Sequence, residues 1–333
     1  MTSSTSKGSP LETLEETAGE DAVGAFSVLG NETRLAILVT LWEAYEPHVQ
    51  LDAVTFSELR DRIGYDDPGN FQYHLNQLTG TFIDYTEEGY RLRDVGLKIV
   101  QTVIAGTTRE VSFDTTEIDI DCMFCGGSTA IMYDDGRLFH ICLECSGASV
   151  SGDPHPDGMI KGQLIPPTVL HGRRAEEIHA TSIFRFHQLI VMKAGGLCPR
   201  CANKIDASIT VCDNHRPSET GVCSECERQR SARVRWACSI CKYWGGTSII
   251  SVARYHPAVV AFLYDHGVHS GPGMNDFEVI KKNRERMRKI LSEQRIRSSD
   301  PLRIEVEFRA DDDRISLIVN EDLNIEDVQR QKG

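Results

Sequence analysis

The first hundred residues show the apolar periodicity of short amphipathic helices. The apolar stripe of the first long helix consists of Leu35, Ile37, Leu38, Leu41 and Trp42. Asn31 is placed to cap this helix, because its side chain can accept a hydrogen bond from a backbone N–H of the first turn. A second helix follows a short strand over 54–56. Thr55 and Ser57 fit equally well as its cap, and Gly64 suits a left-handed end.

A third helix is predicted to begin at Asp67, its cap, and Pro68, whose missing N–H costs nothing at the first helical position. Its inward positions, spaced i, i+4 and i+7, are Phe71, Leu75 and Leu78. Its outward row consists of Tyr73, Asn76 and Gln77, flanked by Asn70 and Gln72. The alternation that follows predicts a hairpin over 82–86 and 90–93, with its turn at 87–89.

A fourth helix, with Asp94 as its predicted cap, is apolar over most of its circumference. Its apolar residues are Val95, Leu97, Ile99, Val100, Val103 and Ile104. The surface of one domain does not bury such a helix completely. The pattern therefore predicts a homodimer interface on this helix.

All eleven cysteines lie beyond this helical part, and their spacing predicts bound metal. Two residues between two cysteines let one tight turn present both sulfurs to the same ion. Five such pairs are present: Cys122/Cys125, Cys142/Cys145, Cys198/Cys201, Cys223/Cys226 and Cys238/Cys241. The remaining cysteine, Cys212, begins a C-x-x-H unit with His215. These twelve ligands complete three tetrahedral Zn²⁺ sites.

The first two pairs predict a zinc ribbon with a structural ion. Apolar runs over 131–133 and 138–141 flank Asp135-Gly136, which is a strong hairpin signal, and one pair lies on each side of this hairpin. Four cysteine ligands leave no open coordination position, so a catalytic role is not expected. Iron is the main competitor for four thiolates.

The last eight ligands allow more than one pairing. Sequential grouping gives one site from Cys198, Cys201, Cys212 and His215, and a second from Cys223, Cys226, Cys238 and Cys241. Alternate pairing, as in cross-braced RING domains, uses the same residues and would favour a module that recruits proteins. The gap between His215 and Cys223 is longer than the usual RING spacing, so we prefer sequential pairing.

The remaining segments give weaker signals. A Pro/Gly/His-rich loop is predicted over 152–168, helices over 175–194 and 257–266, and a hairpin over 303–309 and 315–320. Two basic clusters interrupt this region: Arg228, Arg230, Arg233 and Arg235, and then Lys281, Lys282, Arg284, Arg286, Arg288 and Lys289. Solvated faces are the favoured interpretation of both, with phosphate contacts as the alternative. His179 and His187 are expected in the core or on the surface, not as metal ligands.

The acidic charge of the chain bears on whether it binds nucleic acid. The formal net charge is -13, and residues 20–108 contain fourteen acidic and six basic side chains, whereas DNA-binding domains are usually basic. Three of the basic ones, Arg60, Arg91 and Arg93, lie on or beside the third helix and the hairpin.

No apolar run suits a membrane span and no signal peptide begins the chain, so we expect a reducing, cytoplasmic location without membrane contact.

Three stretches resemble ArsR-type winged helix-turn-helix regulators. Residues 29–38 resemble the first long helix of that family, residues 71–78 resemble its recognition helix, and Tyr90-Arg91-Leu92 followed by Gly96 resembles its second wing strand. The complete layout is similar to halophilic archaeal regulators that carry such a domain on a zinc-binding tail. In that setting molar salt reduces the gain from counterion release, and an acidic surface keeps the protein soluble. No cysteine lies on the recognition-helix unit, so no metal-sensing role is transferred.

We therefore expect an α+β protein with a flexible tail (1–19), a winged helix-turn-helix domain (20–108), a zinc ribbon with its loop (112–168) and a helix with two zinc-knuckle sites and a C-terminal hairpin (169–333). The expected function is DNA-binding transcriptional regulation as a homodimer on double-stranded DNA. The expected contacts are Asn70, Gln72, Tyr73, Asn76 and Gln77 to base edges, and Arg60, Arg91 and Arg93 to phosphates. The alternatives are a zinc-stabilised protein-interaction module and a thiol or metal redox sensor. An enzyme is not expected, because no nucleophile elbow or phosphate-binding glycine loop is present.

Overall fold

The structure is a computed structural model, which describes residues 22–46, 53–106, 113–148, 155–218, 222–226, 228–269 and 273–333. The predicted tail over 1–19 lies outside the described residues. The fold is α+β, and the chain divides into two compact units between Arg109 and Glu110. Among the described residues, none of the helices combines the length and the apolar character that a membrane crossing requires.

The N-terminal unit consists of five helices and one hairpin within the described residues. Its helices are α1 (Ala22–Leu29), α2 (Glu32–Glu43), α3 (Phe56–Ile63), α4 (Pro68–Leu78) and α5 (Asp94–Ile104). Its strands, β1 (Ile83–Thr86) and β2 (Gly89–Leu92), pair antiparallel between α4 and α5.

The predicted helix boundaries are largely confirmed. The Asn31 side chain accepts from the Arg34 N–H at 3.1 Å, and Asp67 accepts from two N–H groups of α4. The cap of α3 is Thr55, and Gly64 ends this helix in the left-handed conformation. Asp94 is not a cap. It is the first residue of α5, and Arg93 occupies the cap position without a capping hydrogen bond from the helix backbone to its side chain.

The apolar stripes meet in one core, which is the reason these short helices are stable together. Its buried residues are Ile37, Leu38, Leu41, Val54, Leu59, Phe71, Leu75, Leu78, Phe82, Ile83, Tyr90 and Val100. Leu35, predicted to belong to the stripe of α2, is instead 42% exposed. The strand predicted over 54–56 is reduced to a single bridge between Val54 and Tyr90, because Thr55 already caps α3.

Three antiparallel sheets are present in the described part of the C-terminal unit. The first, in the order β3–β4–β5–β6, consists of β3 (Thr116–Ile118), β4 (Thr129–Asp134), β5 (Arg137–Cys142) and β6 (Met159–Leu164). The predicted turn is confirmed, with both Asp135 and Gly136 at positive φ. The loop predicted over 152–168 was wrong in part, because β6 pairs with β5 there. Gly158 permits this pairing, since a Cβ at that position would lie 2.1 Å from the Cys142 carbonyl oxygen.

The other two sheets form the larger core of this unit. One sheet is β7 (Asp206–Val211), β8 (Ala232–Ala237) and β9 (Trp244–Ser248), and the other is β10 (Leu291–Ser299), β11 (Leu302–Ala310), β12 (Asp313–Asn320) and β13 (Ile325–Gln331). The predicted C-terminal hairpin is therefore only the central pair of a four-stranded meander. The outer strands were missed because they are edge strands with mostly polar, solvent-facing side chains.

Four α-helices complete the unit within its described residues, together with a 3₁₀ helix over Pro167–Leu170: α6 (Ala175–Ala194), α7 (Ile249–Ala253), α8 (Pro257–Asp265) and α9 (Phe277–Arg288). The bounds of α6 are those predicted. The basic face of α9 was expected to face solvent, but several of its side chains contact other segments of the unit. Lys281 pairs with Asp119, Arg288 donates to Asp121 at 2.7 Å, and Arg284 is only partly exposed.

Candidate metal centres and nucleic-acid interface

The first candidate metal centre joins the two ends of the β4–β5 hairpin. Cys122 and Cys125 precede β4, while Cys142 ends β5 and Cys145 follows it, and the four sulfurs lie within 4.8 Å of one another. The Cys122–Cys145 sulfur distance is 3.7 Å and the Cys125–Cys142 distance is 3.5 Å. A tetrahedral site with metal–sulfur bonds of ~2.3 Å requires sulfur–sulfur edges of ~3.8 Å. These four residues therefore fit one tetrahedral ion.

Backbone N–H groups point at these sulfurs. Gly127 N–H donates to the Cys125 sulfur at 3.4 Å, and the N–H groups of Glu144 and Cys145 donate to Cys142 at 3.3 Å. Such donors stabilise thiolate over thiol. Burial raises the pKa of Cys142, yet the N–H groups of Glu144 and Cys145, together with the neighbouring thiols, lower it to about 7. The arrangement thus prepares a thiolate, which is the form that binds a metal ion.

The last eight ligands form two candidate sites. We call their pairing nested, because the four ligands of one site lie in the sequence between the first two and the last two ligands of the other. One cluster contains Cys198, Cys201, Cys238 and Cys241, and the other contains Cys212, His215, Cys223 and Cys226. The sequential grouping that we preferred was wrong, and the alternate RING-like pairing is not adopted either. In the all-cysteine cluster, the Cys198–Cys241 and Cys201–Cys238 sulfur distances are 3.5 and 3.6 Å, which again fit a tetrahedral edge.

The register of one strand pair explains the nesting. In the antiparallel pairing of β7 with β8, Asp206 lies opposite Ala237 and Val211 lies opposite Ala232. The C-x-x-C unit before β7 therefore meets the unit after β8 at one end of the pair. The units that follow β7 and precede β8 meet at the other end. The two strands are thus held by one four-ligand cluster at each end.

The mixed cluster includes its histidine as predicted. The His215 Nδ1 atom lies 3.4 Å from the Cys226 sulfur, and its Nε2 atom lies 3.3 Å from the Gln229 carbonyl oxygen. If Nδ1 held a metal ion, Nε2–H would donate to that carbonyl and would fix the orientation of the ring. The Cys226 N–H donates to the Cys223 sulfur, and this donor is the main cause that lowers the Cys223 pKa to about 6.

Two side chains that the sequence did not connect with the metal ligands support the candidate metal loops. Arg288 of α9 donates to the Cys122 carbonyl oxygen at 3.1 Å, and Gln229 donates to the Gly147 carbonyl oxygen at 2.8 Å. Each of these contacts joins segments more than eighty residues apart, so no local pattern could have identified them. Among the residues that the structure describes, His179 and His187 belong to no metal cluster.

The predicted outward row of α4 lies on the surface. Asn70, Asn76 and Gln77 are exposed, and Tyr73 is 55% exposed, while Phe71 is fully buried. Gln72 is half-buried, because its amide donates to the Asn76 side chain at 2.9 Å and to the Tyr90 hydroxyl at 3.2 Å.

The three predicted phosphate contacts differ in availability. Arg91 is exposed on β2. Arg60 lies 3.3 Å from Asp61 on the same helix. Arg93 donates to the Gly80 carbonyl oxygen and lies 3.6 Å from Asp84, so its guanidinium already holds the base of the hairpin. Arg91 is consequently the most available cation of the three.

The two parts of the chain match different families. Residues 22–103 match the family described as a domain of unknown function, DUF7347. No curated protein and no solved structure matches the chain. The second family model covers residues 119–325, which is more than half of the chain and includes all three metal clusters. The chain therefore belongs to the family described as a domain of unknown function, DUF7351.

Proposed function

We propose that the N-terminal unit is a winged helix-turn-helix domain and that the protein is a DNA-binding transcriptional regulator. The observation that carries this proposal is the outer face of α4, where Asn70, Tyr73, Asn76 and Gln77 are exposed above a buried apolar face. Amide side chains pair with adenine edges in the major groove, and one α-helix fits that groove. In this proposal α4 enters the groove and the β1–β2 hairpin acts as the wing.

The surroundings of α4 support this assignment. Helix α3 and the turn at Gly64 precede it, and the hairpin follows directly. Tyr65 fixes the N-terminal end of α4, since its hydroxyl accepts from the Asn70 amide at 2.7 Å. Exposed Arg91 would contact phosphate from the wing, and Arg60 would do so from α3. Because the unit is acidic, the affinity would depend on groove contacts more than on counterion release.

We propose that the regulator acts as a homodimer through α5 and α2. Val95, Val103 and Ile104 of α5 are 50%, 53% and 44% exposed, and Val39 of α2 is 40% exposed. Large apolar side chains that remain exposed on one unit mark an interface when they are contiguous. A homodimer would also match a two-fold symmetric operator.

We propose Zn²⁺ as the ion in all three clusters. Cys₄ and Cys₃His sets with tetrahedral spacing are the usual structural zinc sites, and each is closed to further ligands. The role of these ions would be to hold the C-terminal unit together. A second role for this unit, as a partner surface, is favoured by Met123, Leu143 and Ile240, three knuckle residues that are about half exposed.

A double variant tests the groove assignment. Tyr73→Ala with Gln77→Ala removes exposed side chains only, so we expect normal zinc content and stability but loss of operator binding by at least ~100-fold. Operators are first located by genomic footprinting at native salt, and binding is then measured by gel shift.

Tyr264→Ala is the matched control, because this tyrosine is 64% exposed in the other unit. The control variant should bind the operator like the wild type. A double variant that still binds with wild-type affinity would remove α4 from the interface.

A further inference from the structure

Two segments of the C-terminal unit contain no acidic residue. They span residues 178–205 and 228–264 and carry ten basic side chains between them, whereas 49 of the 333 residues of the chain are aspartate or glutamate. The formal net charge of the whole chain is -13, so both segments differ from its general composition. In an acidic protein, a local excess of basic side chains indicates a surface for an anionic partner.

The all-cysteine cluster brings these two segments together. Cys198 and Cys201 belong to the first segment and Cys238 and Cys241 to the second, and the four sulfur atoms lie within 4.8 Å of one another. The residues between and beside these cysteines therefore share one end of the β7–β8–β9 sheet. The exposed cations at this end are Arg200, Lys204 and Lys242.

The outer face of the β7–β8–β9 sheet continues this basic surface. Along β8, Val234 and Trp236 are buried in the core, so the alternate residues Arg235 and Ala237 point outward, and both are exposed. Trp244 of β9 lies directly opposite Ala237, which places its indole on the same face, where it is 63% exposed. We define the knuckle surface as Arg200, Lys204, Arg235, Lys242 and Trp244.

The knuckle surface has little opposite charge. Within the described part of the chain, none of its four cations forms an ion pair, whereas Arg303 and Arg309 of the C-terminal meander each pair with a glutamate. Exposed Asp206 contributes one negative charge on the same face. A Zn²⁺ ion held by four thiolates would add two more, but Cys198 and Cys238 are buried. The four exposed cations outnumber these negative charges.

We propose that the knuckle surface binds single-stranded DNA. A nucleic acid fits this surface better than an acidic peptide does, because an unpaired base can stack on the Trp244 indole while the cations contact the flanking phosphates. Bases within a duplex are already stacked on both sides, so the exposed ring favours a single strand. The Arg137 guanidinium lies 5.9 Å from the centroid of the indole, which remains exposed.

Only the choice of DNA over RNA rests on the proposed function, in which α4 already holds the protein on DNA. The knuckle surface itself is independent of that function, because each of its residues belongs to the C-terminal unit. The two proposals can therefore fail separately.

The test uses the full-length, zinc-loaded protein and a fluorescently labelled oligo-dT of about 16 nucleotides, with binding followed by anisotropy. Trp244→Ala should weaken binding about 5- to 150-fold, the effect of losing one stacked base, and Trp244→Phe, which keeps an aromatic face, should lose less. Arg235→Gln and Lys242→Gln should each reduce the slope of log K against log salt by about 0.7, the contribution of one phosphate contact on a single strand.

Tyr264→Ala and Lys282→Gln are the matched controls, because they remove an exposed aromatic ring and an exposed cation from α8 and α9 of the same unit. Both controls should bind oligo-dT like the wild type. Wild-type protein that does not bind oligo-dT, or unchanged binding by Trp244→Ala, would refute the proposal. Tighter binding to oligo-U, to duplex DNA or to polyglutamate would assign the surface to RNA, to a duplex or to an acidic protein, and would equally overturn it.

Two variants separate this proposal from the proposed function. Tyr73→Ala with Gln77→Ala should keep oligo-dT binding and lose operator binding, whereas Trp244→Ala should keep operator binding and lose affinity for oligo-dT. All replaced side chains are exposed, so the metal content and the melting temperature should remain those of the wild type. Loss of oligo-dT binding in the α4 variant, with unchanged binding in Trp244→Ala, would place the single strand on the N-terminal unit and contradict the proposal.

Discussion

Removal of the metal ions by a chelator is expected to unfold the C-terminal unit and to leave the N-terminal helices folded. Structural zinc sites contribute ~10–16 kcal/mol of binding free energy each, whereas a whole domain is stable by only ~5–15 kcal/mol. All twelve ligands lie in the C-terminal unit, so the N-terminal unit loses nothing directly.

The position of two clusters explains why the effect should spread. The β7–β8 pair carries one cluster at each end, and β8 places Ala232, Val234 and Trp236 in the main core. Cys198 and Cys238 are themselves buried in that core. Release of four thiols at one end of this strand pair, and of three thiols and an imidazole at the other, would therefore expose apolar core residues and not only a surface loop.

Tryptophan fluorescence measures this outcome. A Trp42→Phe background leaves Trp236 and Trp244, both in the C-terminal unit, as reporters, and Trp236 is only 1% exposed. Chelation should shift its emission to longer wavelength, and returned Zn²⁺ should reverse the shift. A native spectrum after complete metal removal would show that the core, and not the ions, stabilises this unit.

The substitution Phe71→Ala is expected to unfold most of the N-terminal unit. Phe71 is fully buried and packs with its ring centroid 5.5 Å from those of Phe56 and Tyr65. Truncation of a buried phenylalanine costs ~3–5 kcal/mol, a large fraction of the ~5–15 kcal/mol that stabilises a domain. Operator binding should disappear together with the helical signal of this unit.

Tyr73→Ala on the same helix is the control for that experiment, because Tyr73 is 55% exposed. Thermal melting followed by circular dichroism should show a lower N-terminal transition for Phe71→Ala and an unchanged one for Tyr73→Ala. If both variants melt like the wild type, the buried face assigned to α4 is wrong.

The elements that could be predicted are those with local signals. Caps at Asn31 and Asp67 and the left-handed Gly64 can be identified within a few residues, the cap of α3 is narrowed to Thr55 or Ser57, and the turn at Asp135-Gly136 has its own dipeptide signature. The metal ligands belong to the same class, because a C-x-x-C spacing is itself the geometry of a chelating turn.

The features that could not be predicted depend on distant pairing. The nesting of the last two clusters follows from the β7–β8 register, which the spacing of cysteines does not encode. Strands β6, β10 and β13 lack regular apolar alternation, so they resemble loops. Arg288 belongs to a helix that looks like a solvated basic face, and only the packing of the unit brings it to Asp121 and to the Cys122 carbonyl oxygen.

The metal content of double-cysteine variants tests the central claim. This claim is that three ions hold the C-terminal unit together and that two of their sites are nested in the sequence. The wild type should bind three ions per chain. Cys198→Ser with Cys241→Ser should retain two ions, because both residues belong to one cluster, and Cys198→Ser with Cys212→Ser should retain one. Sequential pairing would reverse these two results, cross-braced pairing would leave one ion in both variants, and a wild type without metal would contradict the whole account.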